Sequence, residues 1–262
     1  MDMARSIGYL FPFPLLFATI GAYAAHPLIT EDTGTQGKAA FQLELTLERG
    51  IEDEHDLHEK AWLAAATLSY GLLENLDLIL GGTWLHYHTQ EGDEDVQQRG
   101  FGDVTFDIKW RFFESGNFSI AFKPGVLLPT GDEAKGLGEG ETRYNMSLVL
   151  SYEPGVWGFH LHLASFLNPG VFDWNGGIGH ISGAVTYLPR EDLKLVADIG
   201  RYDLAEEIVD IAAGEIRSDP MFLTLGVIWS FRENMDLDLG IRYGLKDTEV
   251  DWAFLLGTAI RW

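Results

Sequence analysis

The chain has 262 residues, and its 40 acidic and 18 basic side chains give a formal net charge of −22. This balance argues against a nucleic-acid-binding function, because a phosphate backbone needs a basic face. There is no cysteine, which excludes disulfides, thiolate catalysis and zinc–thiolate sites.

Residues 1–24 have the pattern of a secretory signal peptide. A single arginine precedes the apolar stretch 7–20, and the sequence AYA at 22–24 is a small-residue cleavage pattern. The apolar stretch is short for a spanning helix and contains two prolines, which disfavours an N-terminal membrane anchor. We therefore expect export, with a mature chain that begins near Ala25 or His26.

The next stretch, 25–38, is polar and is too long to be a simple lead-in to a strand. We expect it to lie on the periplasmic side, where it either folds into the mouth of the structure or forms a surface tail. The glycine-rich stretch 128–140 has two similar alternatives. It either bends inward as a constriction or remains a mobile loop on the surface.

From residue 39 onward, apolar and polar residues alternate with a period of two. The alternation predicts twelve strands of about ten residues, the length that a tilted transmembrane strand requires. Short and long connections alternate between them, and the long ones are acidic, which is typical of an up-and-down outer-membrane barrel. The predicted strands are 40–50, 60–71, 76–88, 100–112, 117–128, 141–152, 157–166, 180–187, 193–202, 221–231, 236–245 and 251–262. The predicted long loops are 51–59, 89–99, 129–140, 167–179, 203–220 and 246–250.

Each strand that enters a short turn has an aromatic residue near its end, in phase with its apolar face. Placed side by side, these residues form one aromatic girdle at a membrane–water boundary, as in known outer-membrane barrels. Aromatic packing in a soluble sandwich does not explain why they gather at the same end of every second strand. The predicted girdle is Tyr70, Phe112, Tyr152, Tyr187, Phe231 and Trp262. Candidates for the opposite ring are Trp62, Trp84, Tyr144, Tyr243 and Trp252.

The other face of the strands carries too many charges for a dry core, because burying unpaired ions costs several kcal/mol each. Closure with apolar residues outside leaves no strand edge and satisfies every backbone group. We therefore predict an all-β, up-and-down antiparallel transmembrane barrel over 39–262, with a lipocalin-like or sandwich fold as the alternative. The predicted lumen-lining residues are Glu44, Asp77, Asp103, Asp107, Lys109, Arg111, Lys123, Arg143, His160, His162, Asp198, Asp238, Arg242 and Arg261.

Three stretches, HPLITEDTGTQGK (26–38), GDVTFDIKWRF (102–112) and KPGVLLPTGDEAKGLGEG (123–140), resemble a known family. It is the bacterial outer-membrane family labelled as a meta-pathway phenol-degradation channel, often called simply a transporter. The resemblance extends over essentially the whole mature chain. It implies an outer-membrane barrel of Gram-negative bacteria, encoded in some members near genes of aromatic catabolism. It supplies no set of binding residues.

A barrel of twelve strands is intermediate between eight, which side chains fill, and sixteen to eighteen, which leave an aqueous channel. We predict a narrow, weakly cation-preferring channel for passive passage of small solutes, including small aromatic or hydrophobic compounds. The alternative is a structural or surface-interaction barrel whose acidic loops bind divalent cations and lipopolysaccharide. A barrel-embedded hydrolase is the least favoured class, because His162 and Ser165 fall on opposite faces of an ideal strand and no HExxH or phosphate-loop motif occurs.

Two histidine pairs, His86 with His88 and His160 with His162, each share one face of a strand. Such a pair can present two imidazoles to a metal, but polar lumen or interfacial side chains are the better interpretation. We therefore predict no metal site, no cofactor and no enzymatic activity.

The last strand alternates outward-facing residues and ends on the aromatic Trp262, which resembles the signal read by the barrel assembly machinery. The expected partners are this machinery, outer-membrane lipid and lipopolysaccharide, and a small-molecule solute.

Overall fold

The structure is a computed structural model that describes residues 26–54, 57–91, 94–167, 179–203, 209–210, 215–216, 219–246 and 249–262. The predicted signal peptide lies outside the described residues. The strands are β1 (Phe41–Glu54), β2 (Leu57–Leu73), β3 (Leu76–Glu91), β4 (Glu94–Ser115), β5 (Phe118–Leu128), β6 (Arg143–Tyr152), β7 (Trp157–Leu167), β8 (His180–Arg190), β9 (Leu193–Tyr202), β10 (Val209–Asp210), β11 (Glu215–Ile216), β12 (Met221–Arg232), β13 (Met235–Gly244) and β14 (Trp252–Arg261). A short 3₁₀ helix covers Glu133–Lys135.

Twelve of these strands form one closed barrel, in which every neighbouring pair is antiparallel and follows chain order. The first and last strands, β1 and β14, pair over ten residues and close the wall. The remaining two, β10 and β11, form a two-stranded sheet of their own. The predicted up-and-down barrel of about twelve strands is therefore confirmed. None of the helices in the described part of the chain is long and apolar enough to cross a membrane.

Side chains alternate between the two faces of the wall in the opposite sense to a soluble protein. Along β6, the small inward residues Ser147, Val149 and Ser151 are buried, whereas Met146 and Leu148 are exposed. The same pattern of exposed large hydrophobic residues recurs on the other strands. An apolar outer surface around a closed barrel faces lipid, because such a surface is unfavourable in water.

The aromatic residues lie where strands meet the short turns. The ring of Phe41 at the start of β1 stacks on Trp262 with 5.6 Å between centroids and an interplanar angle of 7°. It also lies 4.6 Å from Tyr70, and a similar pair joins Trp157 to Tyr187 at 4.5 Å. All six residues of the predicted girdle are partly or largely exposed on the outer surface.

The prediction was wrong about the first two long loops. The stretches 51–59 and 89–99 are mostly strand, because β1 to β4 continue outward and pair with each other up to the tips. Charged residues have low strand propensity, and for that reason the sequence pattern suggested loops there. Cross-strand side-chain pairs stabilise these extensions. One such pair is His88 on β3 and Asp95 on β4, with Nε2 and Oδ1 2.7 Å apart.

Candidate functional site

Most of the charged side chains predicted to line the lumen are buried in the structure. Eleven of the fourteen predicted lumen residues are buried inside the wall: Glu44, Asp77, Asp103, Asp107, Lys109, Lys123, His160, His162, Asp198, Asp238 and Arg242. Arg111, Arg143 and Arg261 are partly exposed, and they lie near the ends of their strands. Burial of this many ions inside a barrel requires partners. Most of these partners belong to segments that lie within the lumen and are not part of the wall.

Residues 26–38, here called the plug segment, enter the lumen from the side of the short turns and cross it. At one end, His26 Nδ1 is hydrogen-bonded to Asp238 on β13. At the other end, the Gln36 amide donates to the carboxylate of Asp77 on β3, with distances of 3.0 and 3.2 Å. The plug segment therefore spans from one wall of the barrel to the other. Of the two alternatives for this stretch, entry into the mouth is the one observed.

The middle of the plug segment is held by hydrogen bonds to the wall. Asp198, which is 1% exposed, accepts from the amides of Ile29 (2.6 Å) and Thr30 (3.0 Å) and from the Thr30 hydroxyl (2.6 Å). Further along, the Thr33 amide donates to the Ser151 hydroxyl at 3.1 Å. These contacts satisfy the backbone of a segment that has no strand partner, as buried amides require.

The plug segment also supplies the acid that neutralises the buried lysines. Lys109, 1% exposed, places Nζ 3.1 Å from Oε2 of Glu31, and Lys123 binds the other oxygen of the same carboxylate. Asp32 lies 3.5 Å from Lys109. Burial alone would raise the pKa of Glu31, but Lys123 and Lys109 together hold it below its usual value. Burial likewise opposes ionisation of Asp32, yet Lys109 and other nearby positive charges lower its pKa to about 2.

A second element enters the lumen from the opposite end. The connection between β5 and β6, residues 129–142 and here called the inner loop, inserts Leu137 against Ala61, Leu63, Leu85 and Tyr87 of the inner wall. The carboxylate of Asp103 accepts from the amides of Gly131 and Glu139 at 2.8 and 2.7 Å. A side chain at Gly131 would collide with the Leu137 carbonyl, since its Cβ would lie 2.3 Å away. The inward alternative predicted for this loop is the one observed.

The connection between β13 and β14 also turns inward. Val250 is buried against Ala253 and Leu255. Its neighbour Glu249 places Oε1 3.7 Å from Nε of Arg242, which also pairs with Glu48. Burial, with a contribution from Glu48, raises the pKa of Glu249 to about 7 despite the opposing effect of Arg242. The plug segment and two connections between strands therefore occupy the inside of the barrel.

The histidines divide between the lumen and the outer tips. His160 is within 2.9 Å of the Ser151 hydroxyl, and the ring of His162 meets His180 edge to face at 5.1 Å. His180 also contacts Tyr202 and Phe222, which gives this part of the lumen an aromatic lining. In the part of the chain that the structure describes, no three His, Asp or Glu side chains group closely enough to hold a metal.

Two features were not predicted from the sequence. They are the ion pairs of Glu31 with the buried lysines and the packing of Leu137 against the inner wall. The only local signal for the first was a pair of acids, Glu31 and Asp32, in a segment without strand periodicity. Nothing in the local pattern pairs them with Lys109 and Lys123, which are 78 and 92 residues away.

The closed wall, the apolar exterior and the charged interior define the class of protein: an outer-membrane β-barrel, with its own N-terminal segment inside. The chain belongs to the family described as "Putative MetA-pathway of phenol degradation", whose model matches residues 24–262. No curated protein matches the chain.

Three solved structures share this fold at low sequence identity. An outer membrane channel from Pseudomonas putida F1 is 15% identical, with 88% of this chain and 98% of that chain covered and a TM-score of 0.61. The KdgM porin in complex with disordered oligogalacturonate is 9% identical, with 85% and 98% covered and a TM-score of 0.53. The NanC porin is 10% identical, with 82% and 98% covered and a TM-score of 0.52. These likenesses concern the fold.

Proposed function

We propose that this protein is an outer-membrane channel for passive passage of small solutes, with the plug segment as its removable obstruction. The observation that carries the proposal is that the plug segment contributes no strand to the wall. All twelve barrel strands pair with one another without it. Displacing it would break ion pairs and hydrogen bonds inside the lumen but no ladder bond, so the lumen can open while the barrel stays closed.

The solute class follows from the lining and from the family. A charged wall favours hydrated solutes. The rings of Tyr202 and Phe222, which are buried against Ile29 of the plug segment, would offer stacking surfaces to a small aromatic compound once the plug is displaced. The family description refers to phenol degradation. We therefore assign small aromatic compounds, including aromatic acids and alcohols, as the solutes to test first. The net charge of −22 adds a weak preference for cations at the mouths.

Liposome swelling and single-channel recording test this function. The full mature chain is compared with a variant that lacks residues 26–38, using a size series of sugars and of aromatic acids. We expect small conductance and slow flux for the full chain, and larger conductance with a higher size limit for the variant. Heat-modifiable gel mobility checks that both are folded. A folded variant without conductance and without flux of any solute would refute the channel.

The second candidate, a surface barrel that binds divalent cations and lipopolysaccharide, has one observation in its favour. The outer ends of β1, β2 and β14 bring Glu52, Asp53, Glu59 and Asp251 near one another. Neutralising Asp53 and Asp251 distinguishes the two functions. A surface-interaction protein should lose Mg²⁺-dependent binding of lipopolysaccharide with unchanged solute flux, whereas a channel should change in ion selectivity.

A further inference from the structure

The outer ends of β1 to β4 form a four-stranded sheet that continues beyond the pairing with the rest of the wall. The pairing of β4 with β5 ends at Val104, and the pairing of β1 with β14 ends at Ile51, whereas β2 and β3 stay paired with their neighbours to the tips. On the inner side of this sheet, Ala61 and Tyr87 are buried with Leu137 of the inner loop. The alternate side chains therefore face outward, toward the lipid boundary and the medium.

A β-bulge in β4 turns an aromatic ring and a base to the outside. Gly82 of β3 pairs with Val104 of β4. Two residues closer to the tip of β3, Trp84 pairs with Phe101, which is three residues closer to the tip of β4. The extra residue in β4 shifts its alternation by one position. As a result, Phe101 is 78% exposed and Arg99 is exposed on the same face.

On three neighbouring strands, a base lies two residues beyond an outward-facing aromatic residue, on the side of the tip. The pairs are Trp62 and Lys60 on β2, Trp84 and His86 on β3, and Phe101 and Arg99 on β4. Aromatic side chains lie at the boundary between the hydrocarbon and the headgroups. Two residues of a tilted strand correspond to roughly 5 Å of depth. The bases therefore lie just outside the hydrocarbon, at the level of the lipid headgroups.

Arg49 on β1 belongs to the same surface. Its Cζ lies 4.9 Å from the ring centroid of Trp62, the residue with which it pairs across the strands. This cation–π contact holds the guanidinium group at the level of the aromatic residues. In the part of the chain that the structure describes, no carboxylate is ion-paired with Arg49, Lys60 or Arg99. These three bases are here called the basic face.

The acids on the outward side of this sheet are engaged elsewhere. Asp53 is hydrogen-bonded to His58, and Asp95 is hydrogen-bonded to His88. Both acids lie nearer to the tips than the basic face does. The basic face therefore concentrates three positive charges at the membrane boundary of a chain whose net charge is −22. Cations at this depth favour anionic headgroups as partners.

Below the basic face, the outer surface is apolar and shallow. One row across the four strands consists of Leu45, Ala66, Gly82 and Val104. A Cβ atom at Gly82 would have no neighbour within 4 Å, so the centre of this row is open on its outer side. An acyl chain can pack into such a depression while its headgroup meets the bases above it.

We propose that the outward face of β1 to β4 binds a phosphorylated glycolipid of the outer leaflet, the lipid A part of lipopolysaccharide, through Arg49, Lys60 and Arg99. The phosphate oxygens accept charge-assisted hydrogen bonds from the two guanidinium groups and the ammonium group. This site uses direct contacts to the phosphates and needs no divalent cation. It is therefore distinct from the acidic outer ends of β1, β2 and β14, and it does not depend on whether the lumen conducts.

The test titrates the detergent-purified full mature chain with lipid A in the presence of EDTA and counts the bound lipid by native mass spectrometry. One arm uses diphosphoryl lipid A, and the other uses lipid A from which both phosphates have been removed. We expect one tightly bound diphosphoryl lipid A per chain, with a Kd at least tenfold lower than that of the dephosphorylated form. Phosphatidylglycerol, an anionic phospholipid, should compete poorly because it lacks the second phosphate and the sugar.

The triple variant Arg49→Gln, Lys60→Gln and Arg99→Gln should bind diphosphoryl lipid A roughly a hundredfold more weakly, since each base near an anionic headgroup contributes about fivefold. Its binding of the dephosphorylated form should not change, and heat-modifiable gel mobility checks that it is folded. Each single substitution should weaken binding about fivefold, so the proposal stays testable if the triple variant does not fold. The matched control is Arg201→Gln, because Arg201 is an exposed base of β9 that already has Asp219 at 3.2 Å.

Three results would overturn the proposal. The first is equal affinity of the native protein for the two forms of lipid A, or equal affinity of the folded variants and the native protein for the diphosphoryl form. The second is equally tight binding of phosphatidylglycerol, which would make the surface a general contact for anionic lipid. The third is binding that appears only when Mg²⁺ replaces EDTA, which would assign lipopolysaccharide to the acidic outer ends.

Discussion

Nζ of Lys109 lies 3.1 Å from Oε2 of Glu31, and this buried contact joins the barrel wall to the plug segment. Lys123 holds the second oxygen of the same carboxylate, so Glu31 bridges two buried lysines, and Asp32 adds a second negative charge near Lys109. Removing one member of a buried ion network costs more free energy than the intact network contributes to stability. The reason is that the remaining charges stay buried without a partner of opposite sign.

Glu31→Gln should release the plug segment. Breaking a buried pair costs about 3–5 kcal/mol, which lowers the ratio of docked to undocked plug by roughly two orders of magnitude or more. Single-channel recording should show larger conductance or frequent openings.

The matched control is Thr35→Val in the same segment. It removes one neutral hydrogen bond, from the Thr35 hydroxyl to the Glu74 carbonyl at 2.9 Å, which contributes only about 1 kcal/mol. Conductance of the Glu31→Gln protein equal to that of the control would show that the ion network does not retain the plug.

A disulfide can lock the plug segment in place, since the chain has no cysteine of its own. The hydroxyl oxygens of Thr30 and Ser182 are 2.8 Å apart, so cysteines at these two positions bring their sulfur atoms close enough to bond. The oxidised double variant should have the lowest flux of any form, and dithiothreitol should restore it. Each single cysteine variant serves as control and should not respond to the reductant. Equal flux in the oxidised and reduced forms would mean that solutes pass without movement of the plug.

The strand pattern could be predicted because its causes are local. Val104, Phe106 and Ile108 alternate with Asp103, Asp107 and Lys109, and a period of two assigns the two sets to opposite faces regardless of the partner strand. The charged face was assigned to the inside of the barrel and the apolar face to lipid, because so many charges could not fill a dry core.

The filling of the lumen could not be predicted in the same way. Whether Lys109 faces water or an acid depends on Glu31, a residue 78 positions away in a segment without periodicity. The extension of β1 to β4 into acidic sequence has a similar cause, because the support for each strand comes from its neighbour and not from its own propensity. Non-local pairing of this kind leaves no trace in a local pattern.

Leu137→Ala should loosen the inner loop. Leu137 is 4% exposed and fills a pocket formed by apolar side chains of the wall, and truncation of such a residue costs about 2–5 kcal/mol. Hydrogen exchange of the amides of Gly131 and Glu139 should accelerate, since Asp103 would no longer retain them. Lys135→Ala, which truncates an exposed side chain of the same loop, is the control. Unchanged exchange rates in the Leu137 variant would show that the hydrogen bonds to Asp103 hold the loop without help from Leu137.

The connection between β13 and β14 should respond to pH through Glu249. Its pKa is raised to about 7 when the connection is docked, above the ordinary value of 4.5, so the docked form binds a proton more tightly than the undocked form. Docking is therefore fully stabilised below about pH 4.5 and weakens as pH rises through about 7. Hydrogen exchange of the Val250 amide, corrected for intrinsic rates, should show lower protection at pH 8 than at pH 5.5. Glu249→Gln should remove this pH dependence, and its persistence in that variant would assign it to another group.

Trp262 closes the barrel at its seam. Its amide donates to the Phe41 carbonyl at 3.1 Å, the Phe41 amide donates back at 2.9 Å, and the two rings are stacked. Trp262→Ala keeps both backbone bonds but removes an aromatic side chain that is 61% exposed at the membrane boundary. We expect slower insertion into lipid and a lower yield in the outer membrane, with unchanged solubility of the urea-unfolded chain. Phe113→Ala, which removes an exposed aromatic side chain away from the seam, is the control. Equal insertion rates for the two variants would show that the C-terminal aromatic has no special role in assembly, because a general interfacial contribution would then account for both.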